Sequence, residues 1–176
     1  MKSLRLLFLL PAMLFFSSAS AAPLQVGDAA PAVIGTTDTG DSLDFAATYA
    51  KGFTLVYFYP KADTPGCTAQ GCSLRDAYEA LGQKGVTVIG VSADTVEAQK
   101  KFREKYNLPF TLIADTEKIV IGGFGVPTRD IPLVGSLASR QAFLINKAGK
   151  IVWADFKAST AQQAQDVLAA LEKLGD

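Results

Sequence analysis

The chain has 176 residues, which suits one domain with a substantial core, and its 17 basic residues balance its 17 acidic residues. This balance provides no excess charge for binding nucleic acid or anionic lipid. The chain contains no histidine and only two cysteines, which excludes a Ser–His–Asp triad, a Cys–His protease pair, a histidine metal site and an all-cysteine metal cage.

The first predicted element is an apolar leader. Residues 1–21 (MKSLRLLFLLPAMLFFSSASA) begin with basic residues, continue through an apolar run and end in small residues, an order typical of a secretory signal cleaved after Ala21. An uncleaved membrane anchor is less favoured, because the run is shorter than the ~20 residues that span a bilayer and Pro11 interrupts it. We therefore expect an exported, periplasmic protein, free of the membrane after cleavage, with one mature domain over residues 22–176.

Runs rich in apolar and β-branched residues predict the strands of a sheet. The first two, FTLVYFY and VTVIGVS, are nearly continuous, as expected of strands buried on both faces. The last two are separated by a short segment with glycine in the turn, which predicts a β-hairpin. The predicted strands are residues 53–59, 86–92, 110–114, 142–145 and 151–156.

Three helices are predicted around these strands. One contains both cysteines and lies between the first two strands, and a second covers residues 95–106 and ends before Pro109. The last begins at Thr160, as a cap, and carries an apolar stripe at three- and four-residue spacing. That stripe consists of Ala164, Val167, Leu168, Leu171 and Leu174. Strand–helix alternation followed by a hairpin and a final helix predicts an α/β fold with a mixed central sheet flanked by helices.

Residues 59–72 (YPKADTPGCTAQGC) join the first strand to the first of these helices and hold both cysteines. Thr64 followed by Pro65 is typical of a helix start, with threonine at the N-cap and proline at the first helical position. Cys67 then lies third in the helix, where unpaired N–H groups and the positive end of the dipole favour an anion. We therefore expect Cys67 to react as a thiolate.

Cys72 follows Cys67 by five positions. On one intact helix their Cα atoms would lie about 8–9 Å apart, beyond the ~7 Å that a disulfide tolerates. A disulfide between them requires part of the helix to unwind, which Gly71 makes easier. A structural disulfide is an alternative in an exported protein, but it would close a very short loop. A thioredoxin-like dithiol would normally be Cys-x-x-Cys. The residues favour one cysteine that reacts and a second that resolves the product.

The spacing Pro60-x-x-x-Thr64-x-x-Cys67 matches the active-site motif of the peroxiredoxins. The longer run 59–72, with its second cysteine and the following residues 73–76 (SLRD), resembles the bacterioferritin-comigratory-protein (PrxQ) subfamily. The resemblance implies a thioredoxin-like fold with peroxiredoxin additions. It also implies a thiol-dependent peroxidase that uses no metal or organic cofactor.

The resemblance assigns roles to five residues. Cys67 resembles the peroxidatic cysteine and Cys72 the resolving cysteine. Thr64 would hydrogen-bond the thiolate and the incoming peroxide, and Pro60 would shield the pocket from water. Arg140 occupies the place of a family arginine on a later strand. From the residues alone, Thr64 and Pro60 are equally well explained as a helix cap and a strand terminator, and Arg140 as a solvated charge at a strand edge.

The implied reaction has two partners. A hydroperoxide, either hydrogen peroxide or an organic hydroperoxide, oxidises Cys67 to a sulfenic acid, which condenses with Cys72 to an intrachain disulfide. A thioredoxin-like dithiol protein then restores both thiols by exchange. A monomer suffices, because the resolving cysteine belongs to the same chain.

Two alternatives remain open from the sequence. One is a periplasmic thiol–disulfide oxidoreductase on the same fold, and the other is a secreted binding domain held together by a Cys67–Cys72 disulfide. Residues 122–135 also differ from the tryptophan-containing stretch of cytosolic subfamily members. That difference leaves the preferred hydroperoxide open, and with it the role of Arg129, as a pocket cation or a loop charge.

Overall fold

A computed structural model describes residues 23–175. In chain order the elements are β1 (Ile34–Thr36), β2 (Ser42–Asp44), α1 (Phe45–Tyr49), β3 (Phe53–Phe58), α2 (Pro65–Asp76), α3 (Tyr78–Gln83), β4 (Val86–Ser92), α4 (Val96–Tyr106), β5 (Thr111–Ala114), α5 (Ile119–Gly123), β6 (Thr128–Ile131), β7 (Gly135–Ala138), β8 (Gln141–Ile145), β9 (Ile151–Asp155) and α6 (Gln163–Leu174).

The central sheet has five strands in the order β5-β4-β3-β8-β9. Strand β4 runs parallel to both β3 and β5, whereas β8 is antiparallel to β3 and to β9. Strands β3 and β8 lie in the middle of the sheet, and this explains why their sequences are apolar at consecutive positions rather than at alternate ones. The predicted α/β fold, with a mixed sheet flanked by helices, is confirmed.

The two faces of the sheet carry separate apolar clusters. Along β3 and the residue after it, Leu55, Tyr57 and Tyr59 belong to one cluster, while Val56 and Phe58 belong to the other. This alternation follows from the two-residue period of a strand. The first cluster also includes residues of helices α2, α4 and α6, among them one of the two cysteines. The candidate site therefore lies on the face of the sheet that these three helices cover.

All five predicted strands and the helix at 95–106 are confirmed, with ends that agree to within one residue. The prediction that Thr160 caps the last helix is wrong, because Gln162 occupies the N-cap and the helix begins at Gln163. The reason is local, since the Ser159 hydroxyl accepts the Gln162 N–H at 3.2 Å and prolongs the turn before the helix. The short elements β1, β2, α1, α3, α5, β6 and β7 lack a clear period and are not predicted.

None of the helices described between residues 23 and 175 is both long enough and apolar enough to cross a membrane. The predicted leader, residues 1–21, lies outside the described residues. Its cleavage, and the division of the chain into a leader and one mature domain, stay predictions.

Candidate active site

The loop from β3 to α2 sets the start of the site helix. Thr64 is extended (φ −92°, ψ 151°) at the N-cap position and Pro65 is the first helical residue, as predicted. The Thr64 hydroxyl, however, does not cap the helix, because it donates to the carbonyl oxygen of Lys61 at 3.0 Å. The expected capping bond is therefore wrong, and no side chain at the N-cap occupies the N–H groups of the first helical turn.

Cys67 is the third residue of α2 and its side chain is buried, with 1% of the residue exposed. Cys72 lies on the same continuous helix and is partly exposed. Both thiols are free. The helix is thus intact in the reduced protein, which is the arrangement for which a direct disulfide is geometrically excluded.

Arg140 reaches the buried thiol from the residue before β8. Its Nη2 donates to the Cys67 sulfur at 3.3 Å, and its Nη1 donates to Oε1 of Gln70. Gly66 leaves room for this approach, since a Cβ at that position would lie 3.3 Å from the same Nη2 atom. A guanidinium donor and the helix N-terminus both favour negative charge on the sulfur.

Gln70 holds the other side of the guanidinium and is itself bonded to Gln163, and sequence reasoning missed both glutamines. Gln70 is fully buried, and its Nε2 donates to Oε1 of Gln163 at 2.8 Å. Gln163 is also fully buried and is the first residue of α6. Gln70 follows Cys67 by three residues on one helix, so helical spacing could have suggested it. Gln163 carries no such signal, because only the tertiary fold brings it near.

Tyr57 of β3 is a further residue that the sequence did not single out. It is buried, and its hydroxyl has no hydrogen-bond partner within the described residues. Burial raises the pKa of Tyr57 far above its usual range, the nearby Cys67 charge adds to this rise, and Arg140 opposes it. The phenol is therefore neutral and lies in the electrostatic field of the site. Gly90 of β4 accommodates it, since a Cβ there would lie 2.7 Å from the ring and its oxygen.

Pro60 lines a groove of about 340 Å³, together with Arg129, Leu137, Ala138 and Ser139. The groove leads along the hairpin β6–β7 to Ser139, the residue before Arg140. Lys61 ties this hairpin to the active-site loop by donating to the carbonyl oxygen of Val134 at 3.2 Å. The structure brings Cys67, Arg140 and Gln70 together, and places Arg129 on the exposed wall of the groove rather than at the sulfur.

Within residues 23–175, no group of three or more acidic or cysteine side chains is arranged to hold a metal ion. The groups close to the buried sulfur are a guanidinium, a buried amide pair and a neutral phenol. This arrangement can stabilise a thiolate and the negative charge that develops when the thiolate attacks a polar bond.

Comparison with known proteins gives consistent relatives. Residues 26–154 match the AhpC/TSA family. The chain is 40% identical over 139 residues to peroxiredoxin bcp of Coxiella burnetii, covering 76% of this chain and 91% of that protein. It is 37% identical over 130 residues to the chloroplastic peroxiredoxin Q of Populus jackii, covering 74% of this chain but only 59% of that longer protein.

A solved structure shows the same fold. The Xanthomonas campestris bacterioferritin comigratory protein, which has alkyl peroxide reduction activity, superposes with a TM-score of 0.75 at 27% identity. The superposition covers 89% of this chain and 100% of that one.

Proposed function

The chain belongs to the AhpC/TSA family and is a thiol-dependent peroxidase of the peroxiredoxin Q type, and we propose that Cys67 is its peroxidatic cysteine and Cys72 its resolving cysteine. The observation that carries this assignment is the 3.3 Å bond from Arg140 to a sulfur in the first turn of α2. A thiolate is the reactive form of cysteine, and both the guanidinium and the helix N-terminus favour it. Cys72 lies later in α2, is partly exposed and has Arg75 as its charged neighbour, so the two thiols differ in burial and in position on the helix.

In the first step, the Cys67 thiolate attacks one oxygen of the hydroperoxide. The S–O bond forms, the O–O bond breaks, and the second oxygen leaves with the electron pair as an alkoxide or hydroxide that takes up a proton. Arg140 stabilises the charge that builds up on the oxygens. Thr64 completes the alignment when its hydroxyl rotates away from the Lys61 carbonyl toward the peroxide, and Pro60 excludes water from the approach.

In the second step, Cys72 attacks the sulfur of the Cys67 sulfenic acid. The S–S bond forms, the S–O bond of the sulfenic acid breaks and hydroxide leaves. The disulfide therefore retains the two-electron oxidation of the first step. The two cysteines lie five positions apart on an intact helix, and therefore α2 must unwind locally before this bond can form. A dithiol protein then exchanges with the disulfide, which returns both thiols and oxidises the reductant.

We propose that both hydrogen peroxide and organic hydroperoxides are substrates. The groove beside Pro60, about 340 Å³ in volume, offers space for an organic substituent. The alkyl peroxide reduction activity of the Xanthomonas campestris relative supports the same substrate range. Neither sulfur attack nor Arg140 stabilisation requires a particular substituent on the distal oxygen.

The composition of residues 1–21 supports export and a periplasmic location for mature residues 22–176. The reductant is then a dithiol protein of that compartment, because cytosolic thioredoxin does not reach it. The intrachain resolving cysteine supports a monomer, and the 15 basic against 17 acidic residues left after removal of Lys2 and Arg5 support a protein that binds no nucleic acid. Cell fractionation together with N-terminal sequencing of the mature chain tests the export and the cleavage. An uncleaved protein in the membrane fraction contradicts both.

Rapid-quench mass spectrometry tests the roles of the cysteines. Pre-reduced protein mixed with one equivalent of hydrogen peroxide should lose two hydrogens within a second. The Cys72→Ser variant should instead gain one oxygen, and the Cys67→Ser variant should not react. A wild-type protein that stays reduced for minutes, yet reduces insulin disulfides rapidly, would overturn the assignment in favour of a thiol–disulfide oxidoreductase.

A further inference from the structure

Tyr106, the last residue of α4, contacts the chain on both sides of the two cysteines. Its hydroxyl donates to Oδ1 of Asp63 at 2.6 Å, and its carbonyl oxygen accepts from Nη1 of Arg75 at 2.9 Å. Asp63 directly precedes the N-cap of α2, and Arg75 lies in the last turn of that helix. The two contacts therefore bracket the segment that has to unwind for a Cys67–Cys72 disulfide.

The Asp63 contact is reinforced by the neighbouring Lys105. Its Nζ donates to both carboxylate oxygens, at 2.9 and 2.8 Å. The bonds from Lys105 and Tyr106 lower the pKa of Asp63 below its usual range, so the carboxylate is ionised at neutral pH. Asp63 has a φ of 59°, a left-handed conformation that a residue with a side chain adopts at a cost. The carboxylate bonds thus hold a strained loop residue in place.

The phenol ring is itself anchored. It packs edge-on against Phe102, with ring centroids 5.4 Å apart, and Phe102 is buried in the cluster that covers the site. The hydroxyl is consequently presented from a fixed position on α4. Loss of the hydroxyl alone would remove one of the three hydrogen bonds to the Asp63 carboxylate, and so weaken its hold, without disturbing the ring packing or the carbonyl that accepts from Arg75.

We propose that Tyr106 is a positioning residue that acts through α2 and sets how long the Cys67 sulfenic acid waits before Cys72 reaches it. This inference rests on the proposed function of the two cysteines. While Asp63 is held, the first turn of α2 stays wound and Cys67 stays beside Arg140. That state serves the first step and delays the second. Release of Asp63 lets the first turn unwind and frees the cysteines to meet.

The delay has a chemical consequence. A sulfenic acid that waits beside Arg140 can react with a second hydroperoxide, in which the sulfur gains an oxygen, the O–O bond breaks and an alcohol or water leaves. The product is a sulfinic acid, which Cys72 does not resolve. Tyr106 therefore sets the peroxide concentration at which the enzyme inactivates.

The test compares Tyr106→Phe with Tyr78→Phe. Tyr78 is also a partly exposed tyrosine on a helix, 37% exposed, with its ring against Phe110 and no hydroxyl hydrogen bond within the described residues. Two rates are measured by rapid-quench mass spectrometry, the formation of the sulfenic acid and its conversion to disulfide. The third readout is the hydrogen peroxide concentration that converts half of Cys67 to sulfinic acid during turnover.

Tyr106→Phe should accelerate disulfide formation and raise the half-inactivating peroxide concentration by the same factor, roughly two- to tenfold for one hydrogen bond. Its first-step rate should change by less than about twofold, and Tyr78→Phe should match the wild type in all three readouts. Lys105→Met should act in the same direction, which keeps the test independent of the phenol.

An unchanged or slower disulfide step in Tyr106→Phe overturns the inference. So does a parallel fall in both steps with a lower melting temperature, because that pattern indicates a structural role alone. Failure of the proposed function is separable, since in that case the wild type itself forms neither sulfenic acid nor disulfide.

Discussion

The buried amide pair behind Arg140 gives the sharpest prediction about the site. Replacing Gln70 by methionine preserves length but removes the acceptor for Arg140 and the donor to Gln163. The Gln163 side chain is fully buried, and its Nε2 already lacks a partner within the described residues. The substitution therefore leaves the whole Gln163 amide without a hydrogen bond, in a place that bulk water does not reach.

The magnitude follows from that loss. A buried polar group left without a partner costs about 1–3 kcal/mol. For a domain of this size each kcal/mol lowers the melting temperature by about 2–4 °C, so Gln70→Met should lower it by roughly 2–12 °C. Arg140 would also lose the bond that fixes one side of its guanidinium. Because small misplacements of a reacting or stabilising group can cost up to ~100-fold in rate, oxidation of Cys67 should slow by about 10- to 100-fold.

A second substitution separates stability from positioning. Replacing both Gln70 and Gln163 by methionine removes the unpaired amide, and exchanging both partners for apolar groups is close to neutral. The double variant should therefore regain most of the stability but none of the rate. Thermal unfolding of the reduced protein, followed through the single tryptophan, Trp153, gives the first quantity, and rapid-quench mass spectrometry gives the second.

A double variant that regains the wild-type rate would refute the reasoning, because activity would then follow stability and not the Arg140 contact. A Gln70→Met variant that reacts as fast as the wild type would also rule out the positioning of Arg140 by Gln70.

Three further predictions concern other residues. Cys72→Ser should change the unfolding free energy of the reduced protein by less than about 0.5 kcal/mol. A sharp drop of its melting temperature, relative to the reduced wild type, would instead indicate a structural disulfide. Arg140→Met should slow Cys67 oxidation by about 100- to 1,000-fold. Arg140→Lys should recover only part of this, because one ammonium lacks the fork that contacts both Cys67 and Gln70. A loss under tenfold in the rapid-quench assay contradicts this role. Asp115 is buried, and desolvation raises its pKa above the ordinary 3.8, although the N–H groups of Ile119, Val120 and Ile121 oppose the shift. A carboxyl with a raised folded pKa stabilises the fold below its unfolded pKa and loses that contribution as pH rises through the folded pKa. The stability of Asp115→Asn relative to the wild type should therefore increase as pH rises from 3.5 to 7 in chemical denaturation, and a flat difference contradicts the shift.

The sheet and the main helices could be predicted because local patterns and tertiary packing agree there. Strand β4 is buried at six of its seven positions because neighbouring strands and both apolar clusters cover it, and its valines and isoleucine mark this in the sequence. Helix α4 was predictable from its start at Thr95, whose hydroxyl accepts the Ala98 N–H as a cap, and from Pro109, which follows its end. The hairpin β6–β7 was missed because its strands are four residues each and only one of their eight residues, Ala138, is buried, so no alternation marks them.

Part of the candidate site was likewise predictable from the sequence, and part was not. Thr64, Pro65 and Cys67 were placed correctly in the helix start because their order along the chain fixes their geometry. The hydrogen bond of the Thr64 hydroxyl was not predicted correctly. A hydroxyl rotates freely, and this one donates to the Lys61 carbonyl oxygen instead of accepting from a helix N–H group. Gln163 was beyond reach for a different reason, since it lies 93 positions from its partner Gln70 and no local pattern records that contact.

Because Cys67 is buried, α2 has to unwind for reduction by a protein partner as well as for formation of the disulfide. With 1% of the residue exposed, the sulfur in the wound helix is closed to the thiolate of a protein reductant. Unwinding therefore has to precede both resolution and reduction, and the helical stability of residues 67–72 should control the two steps together.

Gly71→Ala tests this coupling by stabilising the wound form of α2, whereas loss of the contacts to Asp63 should favour unwinding. A Cβ at Gly71 would lie 3.5 Å from the two methyl groups of Leu108, an ordinary packing distance, so alanine fits the wound helix. Alanine favours a helix interior over glycine by about 1 kcal/mol, which corresponds to a roughly fivefold shift toward the wound form. Disulfide formation should slow by about that factor, and sulfinic acid should accumulate at correspondingly lower peroxide. The first-step rate should stay unchanged, because the wound form already holds Cys67 against Arg140. A Gly71→Ala protein that forms its disulfide as fast as the wild type would show that unwinding does not limit resolution, and the exposure of Cys67 would then need another route.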